Sequence, residues 1–213
     1  ANTTACFNTA IGACSGKSIT TGCHNTSLGA FSLFTSTTGD CNVAIGLDAL
    51  FCNNGSSADN NTAVGHKAMC KNTTGTCNTA VGKDALQSNT TGFQNTAAGV
   101  FAMLANTVGC LNVAVGFQSA QANTTGSCNV AVGCGALSSN TTGTRSVAIG
   151  MGALKEATVG GVNVAVGYNA GCAITNNQDN TAIGRASNTV TTTGYGITSV
   201  GSQSNPAGAT DTN

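Results

Sequence analysis

The string GACSGKS at residues 12–18 has the residue types of a phosphate-binding loop. In that loop, four residues separate the two glycines and a helix follows directly, so that backbone N–H groups surround a phosphate. Here only three residues separate Gly12 from Gly16, and no amphipathic helical pattern follows. The sequence therefore predicts no nucleotide site and no cofactor.

Asp48 and Asp84 are the carboxylates whose placement most resembles a catalytic pair. They occupy the same position relative to a recurring glycine, two repeats apart, near the separation that inverting glycosidases use. Lys67 occupies that position in the repeat between them, which favours a surface row of charges. His24 and His66 occupy different positions and cannot form a pair. Without a nucleophile, base and orienting group at a usable spacing, we expect no enzyme activity.

The chain has eleven cysteines but no CxxC pair and only two histidines, so no metal site is predicted. Neighbouring coils of a stacked structure would place equivalent residues roughly 5 Å apart, within disulfide range. Cys23 with Cys41 is a competing pair, free buried thiols are the alternative, and the odd total leaves one thiol free or shared with another chain. The predicted pairs are Cys6 with Cys23, Cys52 with Cys70, and Cys110 with Cys128.

Asn-x-Ser/Thr sequons recur just before the TTG segments and predict a column of glycans along one edge. Sugars would supply the solubility that the low charge does not. The alternative is that Asn-Thr-Thr serves turns and hydrogen-bonded rows, and the sequence leaves both open. The candidate glycosylation sites are Asn72, Asn89, Asn123 and Asn140 in that column, and Asn2, Asn25, Asn54 and Asn60 elsewhere.

Charged residues make up 7% of the chain, against about 25% in an ordinary soluble domain, and the net charge is zero. Nucleic acid and anionic membrane are therefore not expected partners. No apolar stretch is long enough to span a membrane, and the N-terminal region does not resemble a signal peptide. The chain begins inside a repeat, which suggests a portion of a longer precursor. The cysteines and low charge predict an extracellular location, on a cell or virion surface.

A fixed period organises the whole chain. The glycine that closes each NTAVG-like segment recurs every 17 residues, except for one interval of 19 between Gly46 and Gly65. The two extra residues lie near Asn53 and Asn54, where a loop can bulge without disturbing its neighbours. Aligned on this glycine, the consensus is NTTGxxNTAVGxxALxx. Such a period is typical of stacked structural units.

Each NTAVG segment alternates like a short strand. The residue before the glycine is Ile, Val or Leu in eleven of twelve repeats, and the residue two earlier is Thr or Val. Because β-branched residues suit a strand face, we expect these two positions to form the core face. The alanine between them then lies on the opposite face, where its small size predicts close packing against a second chain or against the opposite wall of the same coil. The residues predicted for self-association are Ala63, Ala80, Ala97, Ala114, Ala131, Ala148 and Ala165.

Two glycines per repeat mark corners and leave no room for a useful helix, whereas two or three short strands fit. The Leu of each xxAL segment should add a third core contact. The sequence therefore predicts an all-β fold, a parallel β-solenoid (β-roll or β-helix) of twelve 17-residue coils over residues 1–204, with residues 205–213 as a C-terminal cap or joint. Coils stacked about 4.8 Å apart make a rod of roughly 55 to 60 Å, with Asn and Thr in hydrogen-bonded rows.

The segments NTAVG, NVAVG and SVAIG at residues 61–65, 112–116 and 146–150 resemble the head repeats of trimeric autotransporter adhesins. The longer NTTGxxNTAVGxxAL pattern, over residues 2–204, is more similar still to arrays in phage-tail-fibre-like and related surface proteins. The resemblance implies left-handed coils, display outside the cell and self-association into a homo-oligomer, and no reaction. The 17-residue period and the cysteines differ from those adhesin heads.

The leading functional prediction is a structural subunit of an extracellular or virion-associated fibre or filament. It would assemble through open solenoid ends, through the alanine column, or through both. The alternative is an adhesin or host-recognition shaft that binds cell-surface glycans through varied residues after each glycine, such as Phe117, Met151, Tyr168 and Arg185. An ice-binding protein is a further alternative, although the sequential threonines of each TTG point to opposite faces.

Overall fold

The computed structural model describes residues 4–55, 58–190 and 194–205, and over these ranges the chain is a parallel β-solenoid, as the sequence predicted. Twelve three-residue strands form one sheet, in which each strand pairs with the next along the chain. Coils are numbered here after their strands. Residues 206–213, most of the predicted C-terminal segment, lie outside the described ranges. The strands are β1 Thr9–Ile11, β2 Thr26–Leu28, β3 Val43–Ile45, β4 Thr62–Val64, β5 Thr79–Val81, β6 Thr96–Ala98, β7 Val113–Val115, β8 Val130–Val132, β9 Val147–Ile149, β10 Val164–Val166, β11 Thr181–Ile183 and β12 Thr198–Val200.

Neighbouring strands pair in parallel with equivalent residues directly opposite each other. Ala63 of β4 lies opposite Ala80 of β5, and the flanking residues match in the same way. The register also holds across the longer interval, where Ala44 pairs with Ala63. The two extra residues therefore leave the strand pairing intact, as predicted, although residues 56 and 57 of this loop lie outside the described ranges.

The prediction of which strand face is buried was wrong. The central alanine of β3–β11 has no exposed surface, whereas flanking residues such as Thr79 and Val81 are exposed. A Cβ atom placed on Gly171 would lie 3.5 Å from the Cβ of Ala165, so the alanine column faces the opposite wall of its own coil. Because that wall is so close, only a small side chain fits there. The predicted self-association residues are therefore interior and present no surface to another chain: Ala63, Ala80, Ala97, Ala114, Ala131, Ala148 and Ala165.

The opposite wall of each coil is built by the xxAL segments. Ala85 and Leu86 are both fully buried, and Ala136 and Leu137 repeat the arrangement three coils later. The leucine column thus contributes to the core as the sequence predicted. The core is a narrow band in which small side chains on the sheet face a row of larger ones.

Gly82 shows why the corner glycine recurs. Its φ is +135°, and a Cβ atom there would lie 2.6 Å from the carbonyl oxygen of Gly99 in the next coil. Both conditions exclude an L side chain. Other turns of the coil use residues of many types, because thirty of the described non-glycine residues have φ between 46° and 61°. This left-handed conformation is uncommon for such residues, and here the packing of neighbouring coils maintains it.

Candidate assembly surface

The outward face of the sheet is a regular, uncharged surface that runs the length of the solenoid. In β7–β10 both of its columns consist only of Val or Ile. Val115 is 39% exposed and Ile149 is 40% exposed. Neither column contains Asp, Glu, Lys or Arg. The first column is Thr9, Thr26, Val43, Thr62, Thr79, Thr96, Val113, Val130, Val147, Val164, Thr181 and Thr198, and the second is Ile11, Leu28, Ile45, Val64, Val81, Ala98, Val115, Val132, Ile149, Val166, Ile183 and Val200.

A column of buried asparagines just before the strands holds each coil to the next. The Asn61 Nδ2 donates to the carbonyl oxygen of Gly75 at 2.8 Å, and the Asn61 Oδ1 accepts the backbone N–H of Asn78 at 3.1 Å. The same contacts recur along the rod, with Ser146 as the replacement in coil 9 and Ile197 in coil 12, whose N–H still donates to the Asn180 Oδ1. These contacts fix where the strands begin, so the outward face keeps its spacing of about 4.8 Å per coil.

A second buried row follows the xxAL segments through coils 3–8. The Asn89 Nδ2 donates to the Asn72 Oδ1 at 2.8 Å, and the Asn106 Nδ2 donates to the Asn89 Oδ1 at the same distance. The Thr73 hydroxyl beside this row donates to the carbonyl oxygen of Thr90 at 2.9 Å. The predicted Asn and Thr rows are therefore confirmed. Their hydrogen bonds join neighbouring coils along the wall opposite the outward face. The asparagine row is Asn53, Asn72, Asn89, Asn106, Asn123 and Asn140.

The predicted glycan column was wrong, because its asparagines form the second buried row. Their Nδ2 atoms, to which a glycan would be attached, already donate to the preceding asparagine and to a glycine carbonyl. Five of the predicted sites are buried: Asn25, Asn72, Asn89, Asn123 and Asn140. Asn54 and Asn60 are exposed and stay predictions, which glycan mass on peptides containing them would test. Asn2 lies outside the described residues.

Among the cysteines, the structure forms the disulfide between Cys6 and Cys23, whose Cα atoms are 4.8 Å apart in adjacent coils. The predicted bridges from Cys52 to Cys70 and from Cys110 to Cys128 are wrong, since all four residues are free. Their partners in register differ from the predicted ones. The Cys110 N–H, for example, donates to the Ser127 hydroxyl at 3.1 Å, and Cys128 lies one position further along the coil.

Burial lowers the reactivity of three of the free thiols. Desolvation raises the pKa of Cys52, Cys70 and Cys172 above the ordinary value. At Cys70, the neighbouring Cys52 and Asp48 raise the pKa further, and Lys67 and Lys71 oppose them. A raised pKa leaves less thiolate at neutral pH, so these residues are poor nucleophiles.

The other residues that the sequence singled out as candidates for chemistry are engaged in contacts within the fold. The Gly16 N–H, which a phosphate loop would offer to its ligand, donates to the carbonyl oxygen of Ser32 at 2.9 Å. Asp84 is buried, and its ion pair is with Lys83 at 3.7 Å, so the predicted charge row of Asp48, Lys67 and Asp84 was wrong for Asp84. His24 stacks on Phe7, with ring centroids 5.1 Å apart.

These features define the protein as a parallel β-solenoid with an uncharged outward face. Comparison with protein families, with curated proteins and with solved structures gives no match. Within the described ranges, no three His, Cys, Asp or Glu side chains converge in a way that could hold a metal ion. The same ranges contain no helix with the length and apolar character that crossing a membrane requires.

The outward face is the feature that sequence reasoning missed. The signal was present in the alanine column, whose uniform small size fits a tightly enclosed interior. β-branched residues were assigned to the core because they favour strands, but that preference holds on either face of a sheet.

Proposed function

We propose that this chain is a structural subunit of an extracellular or virion-associated fibre, in which copies pack side by side through the outward face. The observation that carries the proposal is an outward-facing, regular array of mostly β-branched side chains without a charged residue, apolar in both columns from β7 to β10. Contiguous apolar surface of this kind on a protein marks an interaction site.

The outward face is large enough for a specific interface. Twelve coils at about 4.8 Å and strands about 10 Å wide give roughly 580 Å² per copy. Two such faces together would bury roughly 1,150 Å², slightly more than the 1,000 Å² or so that a specific interface needs. With no charge in either column, burying them carries no penalty for desolvating ions.

A second copy is the partner whose periodicity matches. Side chains on the outward face repeat once per coil, and only a surface with the same spacing can interdigitate with them along the whole rod. Parallel, in-register packing places the apolar β7–β10 against the same strands of the partner. A fully overlapping antiparallel packing would instead place them against β3–β6, where Thr62, Thr79 and Thr96 bring hydroxyl groups. Parallel packing therefore buries fewer unpaired hydroxyls.

Association through the ends supplies a weaker contact. β1 and β12 each pair on one side only in the described sheet, so their outer edges are open to another strand. An end contact covers the cross-section of a single coil, and serine hydroxyls inside both ends already bond to each other. Lateral packing therefore forms first, and end contacts extend the bundle into a fibre.

Ice binding is the second candidate, because the structure places a threonine column outward. Thr62, Thr79 and Thr96 project in register from three consecutive strands. Such a flat, regular array of hydroxyl and methyl groups is what an ice surface requires. The strand threonines, unlike the pair in each TTG segment, satisfy that geometry.

The test compares Val115→Lys with Thr125→Lys by native mass spectrometry, electron microscopy and thermal hysteresis. Val115 lies on the outward face, and Thr125 is exposed elsewhere on the coil. We expect the wild type and Thr125→Lys to form multi-chain rods and threads, and Val115→Lys to be a folded monomer. Val115→Lys particles of unchanged size would overturn the proposal. Monomeric wild type with thermal hysteresis would instead establish ice binding.

A further inference from the structure

Two columns of exposed residues border the outward face. The upstream edge is the residue five positions before each corner glycine, and the downstream edge is the residue directly after that glycine. In coil 8 these residues are Cys128 and Cys134, and both are exposed free thiols. Within a coil, the two edges are six residues apart with the strand between them.

In four of the twelve coils the two edges carry residues of matching chemistry. Coil 8 has cysteine on both edges, and coil 11 has Asp179 upstream and Arg185 downstream. Coils 7 and 10 pair exposed apolar residues, Leu111 with Phe117 and Val162 with Tyr168. The other eight coils show no such match, as with Arg145 and Met151 in coil 9 or Cys77 and Lys83 in coil 5.

These matched residues do not meet within one chain. Cys128 and Cys134 are unbonded, and the ion pairs of the described residues are Lys83 with Asp84 and Lys155 with Glu156. Asp179 and Arg185 are both exposed on opposite margins of the face. The complementarity within a coil is therefore unused by the single chain.

Packing copies around an axis parallel to the rods brings opposite edges together at the same height. Rotation about such an axis keeps every coil in register and sets the upstream edge of one copy beside the downstream edge of the next. Three outward faces around such an axis form a triangle, and each corner brings the upstream edge of one copy to the downstream edge of the next. Two stacked sheets would remain about 10 Å apart, beyond the Cα separation of 4.4–6.8 Å or so in a disulfide.

We infer that Cys128 of one copy forms a disulfide with Cys134 of the neighbouring copy, so that three chains are joined in a covalent ring at coil 8. The inference rests on the proposed lateral assembly and adds its order, direction and covalent link. The neighbouring pair at coil 11, Asp179 with Arg185, adds a charge contact in the same register.

The disulfide requires an oxidant, and a small-molecule disulfide such as oxidised glutathione supplies it. The Cys128 thiolate attacks one glutathione sulfur, which forms a mixed disulfide and releases one glutathione thiolate. The Cys134 thiolate of the neighbouring copy then attacks the Cys128 sulfur and releases the second glutathione thiolate. The two protons from the cysteine thiols are taken up by the released thiolates, and the two electrons reduce glutathione disulfide.

The experiment uses a chain in which the other seven free thiols are replaced by serine: Cys14, Cys41, Cys52, Cys70, Cys77, Cys110 and Cys172. After oxidation with glutathione disulfide, we expect a reducible three-chain band on a denaturing gel. Cys128→Ser and Cys134→Ser, each alone, should lose that band and all cross-linking. A co-folded mixture of these two variants should regain a two-chain band, because it supplies one thiol of each kind.

Cross-linking by Cys134→Ser alone would overturn the inference, since it requires contact between two copies of Cys128. So would a ladder that ends at two chains, or no cross-link in particles that native mass spectrometry shows to be multi-chain. The last result would leave lateral assembly standing, whereas monomers under reducing conditions would overturn both. The charge contact at coil 11 gives a check that does not depend on cysteine. Asp179→Arg should weaken assembly several-fold, and Asp179→Arg combined with Arg185→Asp should restore it.

Discussion

The central coils and the end coils fill the same backbone with different chemistry. In coils 4–7, each buried asparagine of the second row donates to the coil before it and accepts from the coil after it, as Asn106 does with Asn89 and Asn123. At the ends, three serines bond to one another. In coils 11 and 12, the Ser187 hydroxyl lies 3.1 Å from those of both Ser199 and Ser204.

The two arrangements differ in how far their hydrogen bonds run. A row of asparagines links a coil to its neighbours on both sides, and so connects the middle of the stack. Hydroxyl groups can both donate and accept, so a small cluster closes on itself where the stack ends. Ser15, Ser27 and Ser32 form the same kind of cluster in coils 1 and 2.

The largest expected effect breaks the central row. Asn106→Ala leaves the Asn89 oxygen and one Asn123 N–H buried without their partners, so we expect the free energy of unfolding to fall by about 3 kcal/mol. Ser187→Ala is the matched change at the end, where Ser199 and Ser204 remain bonded at 2.9 Å, and should cost below about 1 kcal/mol. Urea unfolding measures both. Equal losses would show that the rows and clusters contribute alike.

A smaller effect separates the two sides of one central strand. Ala114→Leu forces a large side chain against the opposite wall and should cost about 2 kcal/mol, because a packed interior resists added volume. Val115→Leu, one residue away on the outward face, should change stability by less than about 0.5 kcal/mol. Thermal unfolding monitored by circular dichroism compares them. A greater loss for Val115→Leu would restore the original assignment of the core.

Amide hydrogen exchange sharpens the comparison without a mutation. The Gly116 N–H donates to Ala98 and the Gly201 N–H donates to Ile183, both at 2.8 Å. Opening a terminal coil breaks one interface and opening a central coil breaks two, so Gly201 should exchange at least ~10-fold faster. Equal rates in mass-spectrometric exchange would indicate that the solenoid opens as a single unit.

The smallest effect concerns thiol reactivity in a central and an end coil. Burial raises the pKa of Cys70 above its ordinary value of 9.0, while Cys14 in coil 1 is exposed. Because the thiolate is the reactive form, the alkylation rate of Cys70 should still be rising at pH 9 and should stay below that of Cys14. Peptide mass mapping after timed iodoacetamide treatment gives both rates. A Cys70 rate that levels off below pH 9 would contradict the raised pKa.

Much of the fold was predictable because the period is independent of side-chain direction. Equal spacing of Gly65, Gly82 and Gly99 predicts stacking whichever face is buried, and the buried leucines such as Leu86 followed from the same pattern. The disulfide between Cys6 and Cys23 was predictable for the same reason, since both residues hold one position in adjacent coils. Pairs in neighbouring positions, such as Cys110 and Cys128, were not, because register places another residue opposite each of them.

The candidate surface was less predictable, since it depends on the width of the coil. A three-residue strand has one inward and two outward positions when its middle residue points inside, and the sequence pattern Thr-Ala-Val fits either orientation. The glycosylation prediction failed for the same reason, because the sequon pattern fits either a surface or a buried position. Asn72 in a turn could be a glycan site or a buried link, and only its enclosure by the neighbouring coils decides between them.

By itself, the sequence determined the period, the number of coils, the parallel register and the corners, because these depend on spacing and on where an L side chain is sterically excluded. Only the tertiary structure decided which side of each strand is enclosed, that the asparagines are interior, and that residues as different as Phe101 and Lys67 adopt a left-handed conformation. These outcomes depend on the distance between opposite walls of a closed coil, which no local pattern of residues records.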